Sequence, residues 1–100
     1  MEMTVNTSDN LVIISLKGKL DSTTYSDFEK ELNKYTNKLK FNVIVDCTEL
    51  TYISSAGLRV LLAAQKQAIE LVGSFVVKNV NSQIMEIFNM TGFSDFLTIV

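Results

Sequence analysis

The sequence predicts an α/β fold: a single layer of mostly parallel sheet with an antiparallel first strand, in the order β-β-α-β-α-β-α-(β). Three observations predict it. Two short runs, Asn42-Val43-Ile44-Val45-Asp46 and Ser74-Phe75-Val76-Val77-Lys78, are rich in β-branched residues and bounded by polar ones, as buried strands are. The segments before and after them carry apolar residues at intervals of three or four, the spacing of an amphipathic helix. A helix between two apolar strands calls for parallel pairing through right-handed crossovers.

The elements follow in chain order. Thr4-Val5 and Leu11 to Leu16 read as two strands separated by the polar turn Asn6-Thr7-Ser8-Asp9-Asn10, and so short a link pairs them antiparallel. Gly18 and Asp21-Ser22-Thr23-Thr24 break the strand and supply capping chemistry for a helix. In that helix Tyr25, Phe28, Leu32, Tyr35 and Leu39 form one apolar stripe, while Lys30, Glu31, Lys34 and Lys38 fall largely off it. The strand Asn42 to Asp46 comes next, and a loop is expected from Cys47 to Ile53. Ser54-Ser55-Ala56-Gly57 opens a second helix with Leu58, Leu61, Leu62, Ile69 and Val72 inward and Arg59, Lys66, Gln67 and Glu70 outward. Gly73 is placed to end it. After the strand Ser74 to Lys78, Asn81 or Ser82 caps a third helix carrying Ile84, Ile87 and Phe88, stopped near Gly92. Met85 and Met90 with Phe88 and Phe93 read as core, with a partner surface as the alternative. Phe96 to Val100 is expected to add a short edge strand.

Composition narrows the function. One hundred residues allow one domain, 1–100, with one modest core, and 47% apolar against 20% charged residues is the balance of a globular chain. A net charge of −2 argues against a duplex-DNA ligand, which requires a basic face. With no histidine there is no imidazole base, no Ser-His-Asp triad and no His-containing zinc site. Cys47 is alone, so it forms no internal disulfide and offers one ligand where structural zinc needs four. The start Met1-Glu2-Met3-Thr4 has neither the basic nor the apolar region of a signal peptide, and no apolar run spans a bilayer. A cytoplasmic, non-enzymatic protein with no cofactor, no nucleic acid and no membrane partner is expected, monomeric when free.

Ligands of parallel sheets gather past the carboxyl ends of the strands, where two segments meet: Gly18 to Thr24 and Asp46 to Gly57. Ser54-Ser55 there sets a hydroxyl beside the unsatisfied N–H groups and positive dipole end of a helix. A phosphoryl group on it would gain backbone hydrogen bonds, and Ala56 and Gly57 would leave the backbone open to a partner. Plain N-capping is the alternative reading. Asp21 either caps the first helix or, from the same sheet end, holds a partner's basic residue or repels a nearby phosphate. Asp46 lacks the acidic pair after the first core strand that a phospho-acceptor aspartate of the receiver type requires, and reads as a turn-former. No phosphate-cradling glycine loop is present.

The run Val43-Ile44-Val45-Asp46-Cys47-Thr48-Glu49-Leu50-Thr51-Tyr52-Ile53-Ser54-Ser55-Ala56-Gly57-Leu58-Arg59-Val60-Leu61-Leu62 resembles the signature of the STAS domain, and more narrowly of the bacterial anti-sigma factor antagonists. Gly18-Lys19-Leu20-Asp21 matches the family's Gly-x-Leu-Asp turn, and Met90-Thr91-Gly92-Phe93 its third block. The resemblance covers nearly the whole chain. It implies a partner switch: the unphosphorylated antagonist binds an anti-sigma factor that is also a serine kinase of the histidine-kinase-like ATPase fold, releasing the sigma factor. Phosphorylation then turns binding off, and a PP2C-type phosphatase restores it. Aligned on Gly57-Leu58, the acceptor falls on Ser55, with Ser54 the alternative because it stands where many relatives have aspartate. Asp21 carries over as the partner-contacting aspartate, and the expected partner surface comprises Asp21, Ser22, Thr23, Ser54, Ser55, Ala56, Gly57 and Arg59. Two other roles are open to the domain: an adaptor subunit of a lipid-transport or sensory complex, and a purine-nucleotide module.

Overall fold

The computed structural model describes residues 1–100 and builds a four-stranded sheet whose spatial order follows the chain. Strand β1 (Glu2–Ser8) pairs antiparallel with β2 (Leu11–Leu20), through a turn of two residues. Helix α1 (Tyr25–Asn33) then crosses to β3 (Asn42–Ile53), parallel to β2, and α2 (Ser55–Glu70) crosses to β4 (Ser74–Lys78), parallel to β3. Helix α3 (Ser82–Thr91) and a 3-10 turn at Phe93–Asp95 complete the chain.

The core lies on one face of the sheet. Ile14 and Leu16 of β2, Val43 and Val45 of β3, and Phe75 and Val77 of β4 alternate inward. They form one cluster with Phe28 and Leu32 of α1, Leu58 and Leu61 of α2, and Ile84 and Phe88 of α3. The register sets Ile13, Ile44 and Val76 in a row on the opposite face, where they stay half-buried with no helix over them.

Several expected elements differ in detail. Both hairpin strands are longer than the two runs suggested, and the turn shrinks to Asp9-Asn10. Gly18 does not break β2; it lies within it at φ 97°, a left-handed conformation that glycine adopts without a Cβ penalty. Cys47 to Ile53 is not a loop but the second half of β3. Two bulges each insert one extra residue into β3, between the pairs Ser15–Asp46 and Lys17–Glu49 and between Gly18–Leu50 and Lys19–Tyr52. The inward residues there are Cys47, Leu50 and Ile53, three apart rather than two, so the alternation that marks a strand is lost. Asp46 forms a turn as expected, but within the first bulge, where its Oδ1 accepts from the Thr48 N–H at 3.0 Å and the Thr48 hydroxyl at 2.6 Å.

Helix α1 ends at Asn33, so Leu39 lies past its stripe, 73% exposed. Along α2 the inward face is Gly57, Leu58, Leu61, Ala64, Gln65 and Ala68, with Val60 buried at its flank; Ile69 and Val72 point to solvent. Small alanines let α2 approach the sheet closely. The buried Gln65 is satisfied because its Oε1 accepts from the Thr98 N–H at 3.1 Å. Met90 is 80% exposed, whereas Phe88 is fully buried and Met85 and Phe93 pack partly on the core. The C-terminal segment forms a single parallel bridge, Val77 to Ile99, in place of the expected edge strand. No helix is long and apolar enough to cross a membrane.

Candidate functional site

The parallel pairing of β2 and β3 ends at Leu20 and Ile53, and the next residue on each strand is Asp21 and Ser54. The Leu20 carbonyl accepts from the Ser54 N–H at 2.8 Å, tying the two exits together. Neighbouring strands are about 4.8 Å apart. The register alone therefore brings the Asp21 turn and the start of α2 side by side, as the two sequence segments led one to expect.

Asp21 organises the turn rather than capping α1. Its Oδ1 accepts from the Thr23 N–H at 2.9 Å and from the Thr23 hydroxyl at 2.7 Å, while the Thr24 hydroxyl donates to the Lys19 carbonyl at 2.9 Å. The N-cap position of α1 is Thr24, whose side chain makes no capping bond. The Thr23 hydroxyl, followed by the Thr23 N–H, holds the Asp21 carboxyl below its ordinary value of 3.8. A hydrogen-bonded carboxylate is favoured over the acid, so Asp21 keeps its charge at neutral pH. Ser22 and Thr23 are exposed beside it.

The two serines have different environments. Ser54 is the N-cap of α2, in extended conformation and half-buried, and its Oγ accepts from the Gly57 N–H at 3.3 Å. Ser55 is the first helical residue and is exposed, and its hydroxyl makes no hydrogen bond within the chain. Ala56 is half-buried beside it. Gly57 is not part of the open surface expected of it. It is buried, and a Cβ there would stand 2.8 Å from Leu20 Cγ and 3.0 Å from Ile53 Cγ1. Its small size lets the helix start sit directly on the ends of β2 and β3. Arg59, one turn beyond Ser55, is exposed and outside both ion pairs of the chain, Lys17–Glu49 and Lys34–Glu31.

Other residues reach the same end of the sheet. Lys19 and Tyr52 pair across β2 and β3 immediately before the site, and Tyr52 is 45% exposed. The Asn81 Nδ2 donates to the Leu50 carbonyl at 3.0 Å, which draws the start of α3 toward it. With Cys47 to Ile53 read as a loop, nothing in the sequence placed Tyr52 opposite Lys19. A cleft of about 250 Å³ runs between α1 and α2, lined by Glu29, Asn33, Ala63 and Gln67 among others. A second, of about 420 Å³, lies at the opposite end of the strands, beneath the β1–β2 turn.

The arrangement is an exposed, unengaged hydroxyl on a helix start, next to a fixed carboxylate and short of any enclosed cavity. Residues 2–100 match the STAS domain family. An anti-sigma factor antagonist of Bordetella bronchiseptica, BtrV, is 34% identical over 93 residues, which cover 93% of this chain and 80% of BtrV. An anti-sigma factor antagonist structure from Thermotoga maritima superposes with a TM-score of 0.87 at 18% identity, over 97% of this chain and 84% of that one. The phosphorylated form of the Bacillus protein SpoIIAA superposes at 0.74 with 14% identity, over 99% and 91% of the two chains.

Proposed function

The chain belongs to the STAS domain family, among its anti-sigma factor antagonists, and from that premise we propose that it works as a phosphorylation-controlled partner switch. Residues 1–100 act as one binding unit. Unphosphorylated, it binds a cytoplasmic anti-sigma factor that is also a serine kinase of the histidine-kinase-like ATPase fold, and so releases a sigma factor. Phosphorylation of Ser55 ends the complex, and a PP2C-type phosphatase restores the binding form. The chain itself is substrate and ligand, not enzyme.

One observation supports the choice of acceptor above all: the Ser55 hydroxyl is exposed and unengaged, while that of Ser54 is committed to the Gly57 N–H. A phosphoryl group on Ser55 adds a charge of about −1.5 to −2 at neutral pH. It would do so beside Asp21, whose carboxylate is already held in its charged form by Thr23. The interface formed by Asp21, Ser22, Thr23, Ser55, Ala56 and Arg59 would then carry two like charges where the partner had met one. Juxtaposed like charges cost a few kcal/mol, about a hundredfold in affinity, and no rearrangement of the fold is needed.

Incubation with the cognate kinase and ATP, followed by intact-mass measurement, should show one added phosphate, absent in Ser55→Ala and retained in Ser54→Ala. Phosphate on Ser54 alone, or none, would reject the assignment. Ser55→Asp should weaken binding to the kinase in calorimetry, and unchanged affinity would remove the repulsion mechanism.

A further inference from the structure

We infer that the cleft between α1 and α2 is a second half of the partner-binding surface and receives a basic side chain, arginine or lysine, of the anti-sigma factor. The inference rests on the partner-switching function and adds to it a recognition pocket outside the phosphorylation site. The cleft is continuous with that site along α2. Ser55, Arg59, Ala63 and Gln67 are spaced by four, so they form one ridge that winds from the helix start to the cleft. Ser55 and Ala63 are eight residues apart, about 12 Å along the helix axis, a separation that one partner interface covers easily.

The chemistry of the cleft selects its occupant. Its volume of about 250 Å³ equals that of roughly eight waters, room for one long side chain. Four of the nine lining residues are apolar, Leu32, Val60 and Ala64 being buried and Ala63 exposed, and the other five are polar or charged. Glu29 is the one charged residue lining it, is exposed, and takes no part in either ion pair of the chain. Asn33 and Gln67 add amide carbonyls as acceptors. An acidic side chain would meet Glu29 with like charge. An apolar one would desolvate Glu29, Asn33 and Gln67 without replacing their hydrogen bonds. A basic side chain satisfies both halves, its stem lying on Ala63 and Val60 and its cationic head at Glu29.

Calorimetric titration of the full chain with its cognate anti-sigma kinase tests this. Glu29→Gln is expected to weaken binding about tenfold, by an amount that shrinks as salt is raised. Ala63→Leu, which fills the cleft from an exposed helical position, is expected to weaken it at least tenfold at every salt concentration. Both variants should keep the melting temperature of the parent, which separates lost recognition from lost folding. Affinity within twofold of the parent in both variants, with the parent bound and phosphorylated on Ser55, overturns the cleft and leaves the partner switch intact. A loss confined to Ala63→Leu overturns the basic occupant. A parent chain that does not bind the kinase overturns both readings.

Discussion

Val72 sits at φ 55°, in the left-handed region that disfavours β-branched residues, and its side chain is 71% exposed. Glycine would ordinarily take this position after a helix C-cap. The glycine comes one residue later, because a Cβ at Gly73 would stand 2.7 Å from the Phe41 carbonyl oxygen. Close packing at Gly73 therefore leaves the left-handed step to a valine that buries little in return. A left-handed non-glycine residue costs about 1–2 kcal/mol, part of which glycine gives back as unfolded-chain entropy. Val72→Gly should stabilise the protein by about 0.5–1 kcal/mol and raise its melting temperature by several degrees. A lower melting temperature in a calorimetric scan would show that Val72 makes a contribution its exposure conceals. At the same scale, the serine pair was legible in the sequence but the division of labour within it was not. Either hydroxyl could cap the helix, and only the backbone geometry at Ser54 assigns the cap to one of them.

Elements with regular periodicity were legible, and those with broken periodicity were not. The alternating half of β3, Asn42 to Asp46, is evident from its β-branched residues. Its second half is hidden by two bulges that change the inward spacing from two residues to three. The inward face of α2 is hidden for another reason. Ala64 and Ala68 are buried because close approach favours small residues, and Gln65 is buried with its Oε1 accepting from the Thr98 N–H. The more apolar Ile69 faces solvent, while Val72 lies past the helix end. Capping chemistry is local, yet it was legible at α2 and α3 and not at α1, where Asp21 holds the preceding turn and Thr24 makes no capping bond. Of the two expected caps of α3, Asn81 or Ser82, it is Asn81 that serves, its Oδ1 accepting from the Ile84 N–H at 2.9 Å while its Nδ2 donates to the Leu50 carbonyl at 3.0 Å. Asn81→Ala removes both bonds and should cost about 1–2 kcal/mol in urea unfolding. Because the second bond ties α3 to β3 near the site, amide exchange at Ile84 should accelerate as well. A loss below about 0.3 kcal/mol would mean that water replaces both partners.

At the scale of the whole molecule one core serves every element, and Cys47 reports on it. The thiol is fully buried beneath the helices, and burial first, with the Asp46 carboxylate second, pushes its pKa up to about 12. Thiolate is the reactive form, so the native protein should resist a thiol-specific reagent at pH 8. Labelling should proceed only through opening of the core, at a rate that rises with urea in step with unfolding. Fast labelling in native buffer would mean that β3 opens locally, apart from the rest of the sheet.

The sequence by itself determined the class of fold, the order of its elements and the pair of segments that meet at the sheet's carboxyl end. Those follow from short-range physics: apolar periodicity, capping chemistry and the handedness of crossovers. Tertiary structure decided what depends on register and contact between distant segments. It placed Tyr52 beside Lys19, turned Gly57 inward against Leu20, committed Ser54 to the cap and left Ser55 open. It also opened the cleft between α1 and α2, two helices that β3 separates along the chain. No local pattern encodes these features, since each is the product of two surfaces that meet only once the chain has folded.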